Sequence, residues 1–239
     1  PIDFKDLEIT IEKTINHVAV IKKTLQAVKE NNILRMYVDE TVLNFMGGNK
    51  METSLLDNET VEGTVAFIDI CGFTAISENE PADEVVAMLN TYFDIMVHEI
   101  IKEEGIVDKF LGDAVMASFK GEFHLDRAMD ASLNIRKAIY NADIKIGSKT
   151  YKPEVSIGIN SGEMVWGNIG SVTLRRLDYT VIGDAVNVAA RLQAAAKKGQ
   201  ILISEANYEK VKESFSCSRV AEIKMKNKEN PLTVYEILS

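Results

Sequence analysis

Phe67–Thr74, FIDICGFT, and Lys109–Asp113, KFLGD, are the stretches from which this chain is best read. Each delivers an aspartate, Asp69 or Asp113, from a compact apolar run of the kind that forms a buried strand. An aspartate set among Phe67, Ile68 and Ile70 is costly to ionise unless a cation lies beside it. Asp113 falls in the turn between IVDKFL and AVMASF, where an aspartate is also an ordinary turn residue. If neighbouring strands bring the two carboxylates together, they form a hard-oxygen site suited to magnesium or manganese, with positions left for phosphate and water. Gly72, Phe73 and Thr74 follow Asp69 directly. A glycine turn there exposes backbone N–H groups that suit phosphate oxygens, although glycine after a strand can also simply turn the chain.

Working outward, the apolar run Val65–Ile70 predicts the first strand of a domain. Pro81 opens a helix to about Glu103 whose apolar face carries Val85, Met88, Leu89, Tyr92, Phe93, Met96 and Ile100. IVDKFL and AVMASF are two strands joined at Gly112-Asp113, and a second helix runs from about Leu125 to Tyr140. Strands are expected at Val155–Asn160 and Glu163–Asn168 with Ser161-Gly162 as a tight turn between them, and Ser171–Asp178 reads as an exposed, arginine-rich excursion. The last forty or so residues supply further strands around a short helix near Glu205–Glu213. Strand–helix–strand–strand–helix–strand is the split βαβ, ferredoxin-like arrangement, so the expected class is α+β with extra C-terminal elements.

A third stretch, Tyr179–Leu192, YTVIGDAVNVAARL, contains a helix from about Asp184. Asn187 and Arg191 are then four residues apart and share one face of an otherwise Val- and Ala-rich helix. Spacing alone also suits an exposed helix with a surface arginine.

Ahead of this domain, Leu7, Ile11, Thr14, Val18, Ile21, Leu25 and Val28 alternate spacings of four and three. The seam covers about three heptads and fits either an amphipathic helix packed on its own domain or a parallel dimer helix. A short helix is expected at about Asp39–Phe45 before Gly47-Gly48, and Asn49–Thr60 reads as a polar loop. The division expected is a helical segment and connector over 1–48 and a main α+β domain over 49–239.

Composition narrows the classes. Of 239 residues 46% are hydrophobic, and the formal charge of −9 disfavours nucleic acid and anionic membranes as partners. Two cysteines, Cys71 and Cys217, are too few for a disulfide framework and suit a reducing, cytoplasmic setting or the cytoplasmic face of a longer membrane-anchored protein. No apolar run reaches the roughly 18–20 residues of a membrane span. Pro1 at the start fits methionine removal or a piece of a longer protein with an upstream regulatory domain. Gly147-Ser148-Lys149-Thr150 lacks the glycine spacing of a Walker A loop, and no G-x-G-x-x-G follows a strand.

FIDICGFT, KFLGDAVMASF and YTVIGDAVNVAARL, in this order, resemble the class III nucleotide cyclases, the adenylate and guanylate cyclase catalytic domains, from about Val61 to the end of the chain. The resemblance implies that Asp69 and Asp113 bind two Mg²⁺ or Mn²⁺ ions per site, with the Ile70 carbonyl as a further ligand. It implies that Lys109 and Thr180 select the base and that Asn187 and Arg191 serve the transition state. Lys226, in IKMKNK, aligns with a lysine that holds the terminal phosphate. It further implies a homodimer whose two sites each take the metal aspartates from one protomer and the other groups from its partner.

Base choice also has a physical side. Adenine offers an acceptor at N1 and a donor at its 6-amine, whereas guanine offers a donor at N1 and an acceptor at O6. A lysine ammonium only donates and a threonine hydroxyl can accept, so Lys109 with Thr180 complements adenine. The guanylate cyclases of the family typically carry Glu and Cys at these places. Threonine at the second position is similar to a subclass stimulated by bicarbonate. ATP is thus the expected substrate; a guanylate or relaxed-specificity cyclase and a silent, nucleotide-binding dimer domain are the competing readings. The GGDEF-type turn of diguanylate cyclases is absent. His17, His98 and His124 lie outside the motifs and are expected to be structural or surface groups.

Overall fold

Alternating strand residues and two long amphipathic helices set the architecture in the computed structural model, which describes residues 17–31, 58–146, 149–171, 176–223 and 231–239. These belong to two units, Pro1–Asp57 and Asn58–Ser239. In the first, residues 17–31 form helix α1. Its seam residues Val18, Ile21, Leu25 and Val28 are 46, 46, 57 and 50% exposed. Leu7, Ile11 and Thr14, the helix expected at 39–45 and most of the loop expected at 49–60 lie outside the described residues.

In the second unit the chain runs β1 (Glu59–Cys71), α2 (Phe73–Ser77), α3 (Ala82–Lys102), β2 (Ile106–Leu111), β3 (Ala114–Lys120) and α4 (His124–Asn141). A small hairpin of β4 (Ile144–Ile146) and β5 (Lys149–Tyr151) precedes β6 (Glu154–Ser171) and β7 (Arg176–Ile182). The remainder is α5 (Asp184–Ala195), β8 (Ile201–Ser204), α6 (Glu205–Val211), β9 (Cys217–Ile223) and β10 (Leu232–Ile237). The sheet order β2-β3-β1-β6 is the ferredoxin-like core. β8, β10 and β9 extend it, and β7 pairs with the far half of β6.

β1 shows how the sheet sorts its side chains. Ala66, Ile68 and Ile70 point into the large core with Tyr92, Met96 and Ile100 of α3 and Met129, Ile135 and Ile139 of α4. Val65 and Phe67 point to the opposite face, with Met116, Met164, Trp166 and the α5 residues Ala185 and Ala189. Burying a side chain such as Ile68 contributes roughly 1.5–3 kcal/mol. Period two therefore puts Asp69 on the face of Val65 and Phe67, away from α3 and α4.

Two sequence expectations need correction. Ser161-Gly162 is not a turn: β6 is one continuous strand of 18 residues. β1 extends back to Glu59, so it pairs with β6 from Glu154 to Trp166, with Thr64 opposite Ser161 and Gly63 opposite Gly162. Glycine is used at 162 for close packing, since a Cβ there would lie 3.2 Å from Ala185 Cβ on α5. Of the excursion expected over Ser171–Asp178, residues 172–175 lie outside the described residues, while Arg176, Leu177 and Asp178 begin β7 and pair with Ser171, Gly170 and Ile169.

The tightest approach of α5 to the sheet is at Gly158, where a Cβ would meet Gln193 N at 2.1 Å and Ala189 O at 2.4 Å. Both are backbone atoms and cannot swing aside. Gly158→Ala is therefore expected to destabilise the domain by about 1–3 kcal/mol, read as a lowered midpoint of thermal unfolding. An unchanged midpoint would refute the contact.

Candidate active site

The β1–β3 register pairs Asp69 with Ala114, so Asp69 and Asp113 stand at the same end of adjacent antiparallel strands. The Ile70 N–H donates to the Asp113 carbonyl at 3.4 Å and ties the β2–β3 turn to β1. Burial, and after it the facing Asp113 carboxylate, push the Asp69 pKa up to about 6. Among the described residues no lysine or arginine pairs with either carboxylate. Two half-buried carboxylates repelling each other without a counter-charge are what a divalent cation would relieve, so the residues fit the metal that the sequence implies.

Immediately after Asp69 the strand ends at Cys71 and Gly72 takes the left-handed conformation, φ 82°, as N-cap of α2. The first-turn amides of Phe73 and Thr74 have no intrahelical acceptor at such a terminus. A further cation stands nearby: a Cβ on Gly72 would lie 4.0 Å from Lys198 Nζ. Burial raises the Cys71 thiol pKa, and among the smaller influences Asp69 raises it while Lys198 lowers it. Lys198 was not singled out in the sequence, although the Lys197-Lys198-Gly199 run before β8 is visible there.

A second group forms around β2. Thr180 on β7 is buried, and its hydroxyl donates to both carboxylate oxygens of Asp108, at 2.9 and 2.8 Å. Lys109 Nζ is 3.2 Å from Asp108 Oδ1. Lys109 and Thr180, paired on sequence grounds, are thus held by one carboxylate. Sequence reasoning missed Asp108, yet the signal was present: an aspartate inside IVDKFL needs a partner for the same reason as Asp69. Among the described residues no hydrogen bond or ion pair joins this group to Asp69 or Asp113.

On α5, Ala185, Val188, Ala189 and Leu192 are buried, while Asn187 is exposed and Arg191 half-buried one turn on. The helix thus offers this polar pair along a side that the sheet does not cover. Lys226 lies outside the described residues. His17 and His98 are exposed, and His124 is a packing residue, its Nδ1 2.7 Å from the Thr64 hydroxyl.

The family model for the adenylate and guanylate cyclase catalytic domain matches residues 55–238. The chain belongs to the class III nucleotide cyclases. An adenylate cyclase of Anabaena cylindrica is 36% identical over 184 residues, covering 73% of this chain and 36% of that protein. An uncharacterised protein of Mycobacterium tuberculosis is 40% identical over 146 residues, 61% of this chain and 26% of that one. The chain thus spans roughly a quarter to a third of the length of such curated relatives. Among solved structures, the adenylyl cyclase CyaB of Pseudomonas aeruginosa superposes with TM-score 0.70 and 33% identity over 77% of this chain and 97% of that one. The guanylyl cyclase Cya2 does so with TM-score 0.69 and 29% identity, over 76% and 93%. A bacterial light-regulated adenylyl cyclase reaches TM-score 0.76 at 28% identity, covering 92% of this chain and 64% of that one. The adenylyl cyclase CyaB and the guanylyl cyclase Cya2 superpose on this chain about equally well, so this likeness does not distinguish one purine from the other. No described helix is long and apolar enough to cross a membrane.

The carboxylate pair makes a pH prediction. A raised folded-state pKa means that the proton on Asp69 stabilises the metal-free fold fully below the unfolded value of 3.8, and that this contribution is lost as pH rises through about 6. Divalent cations compete with that proton, so Mn²⁺ affinity measured by calorimetry should weaken as pH falls from 7 to 5. Asp69→Asn should abolish this binding while leaving the metal-free unfolding midpoint at pH 8 at or above that of the wild type. A lower midpoint would contradict the picture of two unneutralised acids.

Proposed function

We propose that the chain is an adenylate cyclase, converting ATP to 3′,5′-cyclic AMP and pyrophosphate at sites shared between two copies. The observation that carries the substrate choice is the placement of Lys109 and Thr180 on a single buried carboxylate. Thr180 spends its only proton on Asp108, so toward a ligand its oxygen is an acceptor, while the Lys109 ammonium is a donor. Donor beside acceptor complements N1 and the 6-amine of adenine, and it opposes guanine at both positions.

In this reading Asp69, Asp113 and the Ile70 carbonyl hold the divalent cations. Mg²⁺ or Mn²⁺ bound there would supply a lowered pKa for the ribose 3′ hydroxyl and neutralisation of the phosphate charge. The Phe73 and Thr74 amides beyond Gly72 donate to phosphate oxygens, and Lys226 serves the terminal phosphate. The 3′ oxygen loses its proton to solvent and forms a bond to the α-phosphorus. The bond from that phosphorus to the bridging oxygen breaks, and pyrophosphate leaves with the electron pair. Asn187 fixes the ribose so that the attacking oxygen is in line. Arg191 donates to the α-phosphate oxygens on which charge accumulates.

A shared site is supported by the division within one chain, where the carboxylate pair and the Lys109–Asp108–Thr180 group have no polar contact with each other. The half-exposed stripe of α1, in heptad spacing, supports the pairing of two such helices.

Asp69→Ala and Arg191→Ala should each lose activity, the latter by about 10²–10³ in kcat. Their mixture should recover part of it, because one of the two hybrid sites is intact. No recovery in a cyclic AMP assay of the mixture would sink the shared-site reading. Lys109→Glu should lower kcat/KM for ATP by about 10²-fold or more with little change in the unfolding midpoint. An unaltered preference for ATP would count against the base assignment.

A further inference from the structure

Asp108 occupies an irregular position in the sheet. The β2–β3 register runs Val107 opposite Ala117 and then Lys109 opposite Met116, so Asp108 is the extra residue of a β-bulge. Neighbours on a regular strand point to opposite faces. The bulge removes that constraint, and the side chains of Asp108 and Lys109 meet at 3.2 Å. The Asp108 side chain is only 3% exposed. It accepts from the Thr180 hydroxyl and, at 3.3 Å, from the Val181 N–H. These bonds join β2 to β7, strands that are not sheet neighbours.

A buried carboxylate of this kind decides the polarity of everything around it. An ionised carboxylate has no proton to give, so the Thr180 hydroxyl must donate inward and face outward with lone pairs alone. The same charge restrains the Lys109 ammonium, which otherwise ends a flexible four-carbon stem. Without the carboxylate, the hydroxyl is free to rotate and donate outward, which suits guanine O6 as well as its present orientation suits the adenine amine. Burial holds the Asp108 pKa above the usual carboxylate value, and the Thr180, Lys109 and Val181 donors offset only part of that rise.

We infer that Asp108 is a positioning residue for purine discrimination: placed by the bulge, it fixes Thr180 as acceptor and Lys109 as donor, so that the pocket reads adenine and rejects guanine. The inference rests on the adenylate cyclase reading and adds to it a residue that does not itself touch the base. Its signature is a change in the ratio of two substrates rather than a general loss of activity.

The test is the ratio of kcat/KM for ATP to that for GTP, measured on the wild-type chain and on Asp108→Asn. The asparagine keeps the shape, but its amide can donate to Thr180, which turns the hydroxyl proton outward. The ratio should fall by about tenfold or more, through a higher KM for ATP and a gain in turnover of GTP. Thr180→Ser, which keeps the hydroxyl, should hold the wild-type ratio; Thr180→Val should lower it. If the asparagine variant does not fold, Asp108→Ser gives the same reading with a smaller buried group. Equal loss of activity toward both nucleotides with an unchanged ratio would make Asp108 a merely structural link and overturn the inference. A wild-type chain that itself prefers GTP would overturn the base assignment, and this inference with it, whereas an ATP-preferring wild type with an indifferent Asp108→Asn would overturn the inference alone.

Discussion

Two carboxylates that no described lysine or arginine neutralises are the constraint on which the rest of the structure turns. Burying an acid usually requires an arginine, a lysine or a set of hydrogen-bond donors close by. Asp69 and Asp113 stand together at the ends of paired strands, and the cost is visible as an Asp69 pKa lifted to about 6. Such an arrangement persists because the strands around it are over-determined. Ile68 and Ile70 on one face and Val65 and Phe67 on the other lock the register of β1, and a slip of one residue would exchange the faces.

A different solution to the same problem lies a few residues away. Asp108 is more deeply enclosed than Asp69, but it is surrounded by donors from Thr180, Val181 and Lys109. One buried acid has no lysine or arginine partner among the described residues, and the other is satisfied by donors around it and organises them. The chain therefore uses the same side chain in two electrostatic regimes, separated by whether the protein supplies the compensating charge.

Much of this could be read directly from residues. The apolar runs around Asp69 and Asp113, the helix opened by Pro81 and the i, i+4 pair Asn187 and Arg191 depend on local periodicity, which a sequence displays openly. The continuity of β6 through Ser161-Gly162 does not. Those residues look like a turn, and only the backward extension of β1 to Glu59, together with the closeness of α5 to Gly162, gives the glycine another purpose. The β2 bulge is equally hidden, because a register shift belongs to a pair of strands and no single strand records it. Lys198 reaches the Gly72 turn through the folding of the chain after α5, a long-range contact without a local signal.

The bulge also bears on how one fold can serve two purines. Structures named for adenylyl and guanylyl cyclases superpose on this chain about equally well, so the backbone as a whole carries little of the choice. What can carry it is the direction of a few hydrogen bonds, and a hydroxyl is ambiguous by itself because it can give or take. A neighbouring carboxylate removes the ambiguity without touching the ligand. On this view the choice of base depends on an electrostatic relationship behind the pocket, set where β2 departs from regular pairing, and the residues that face the purine express it.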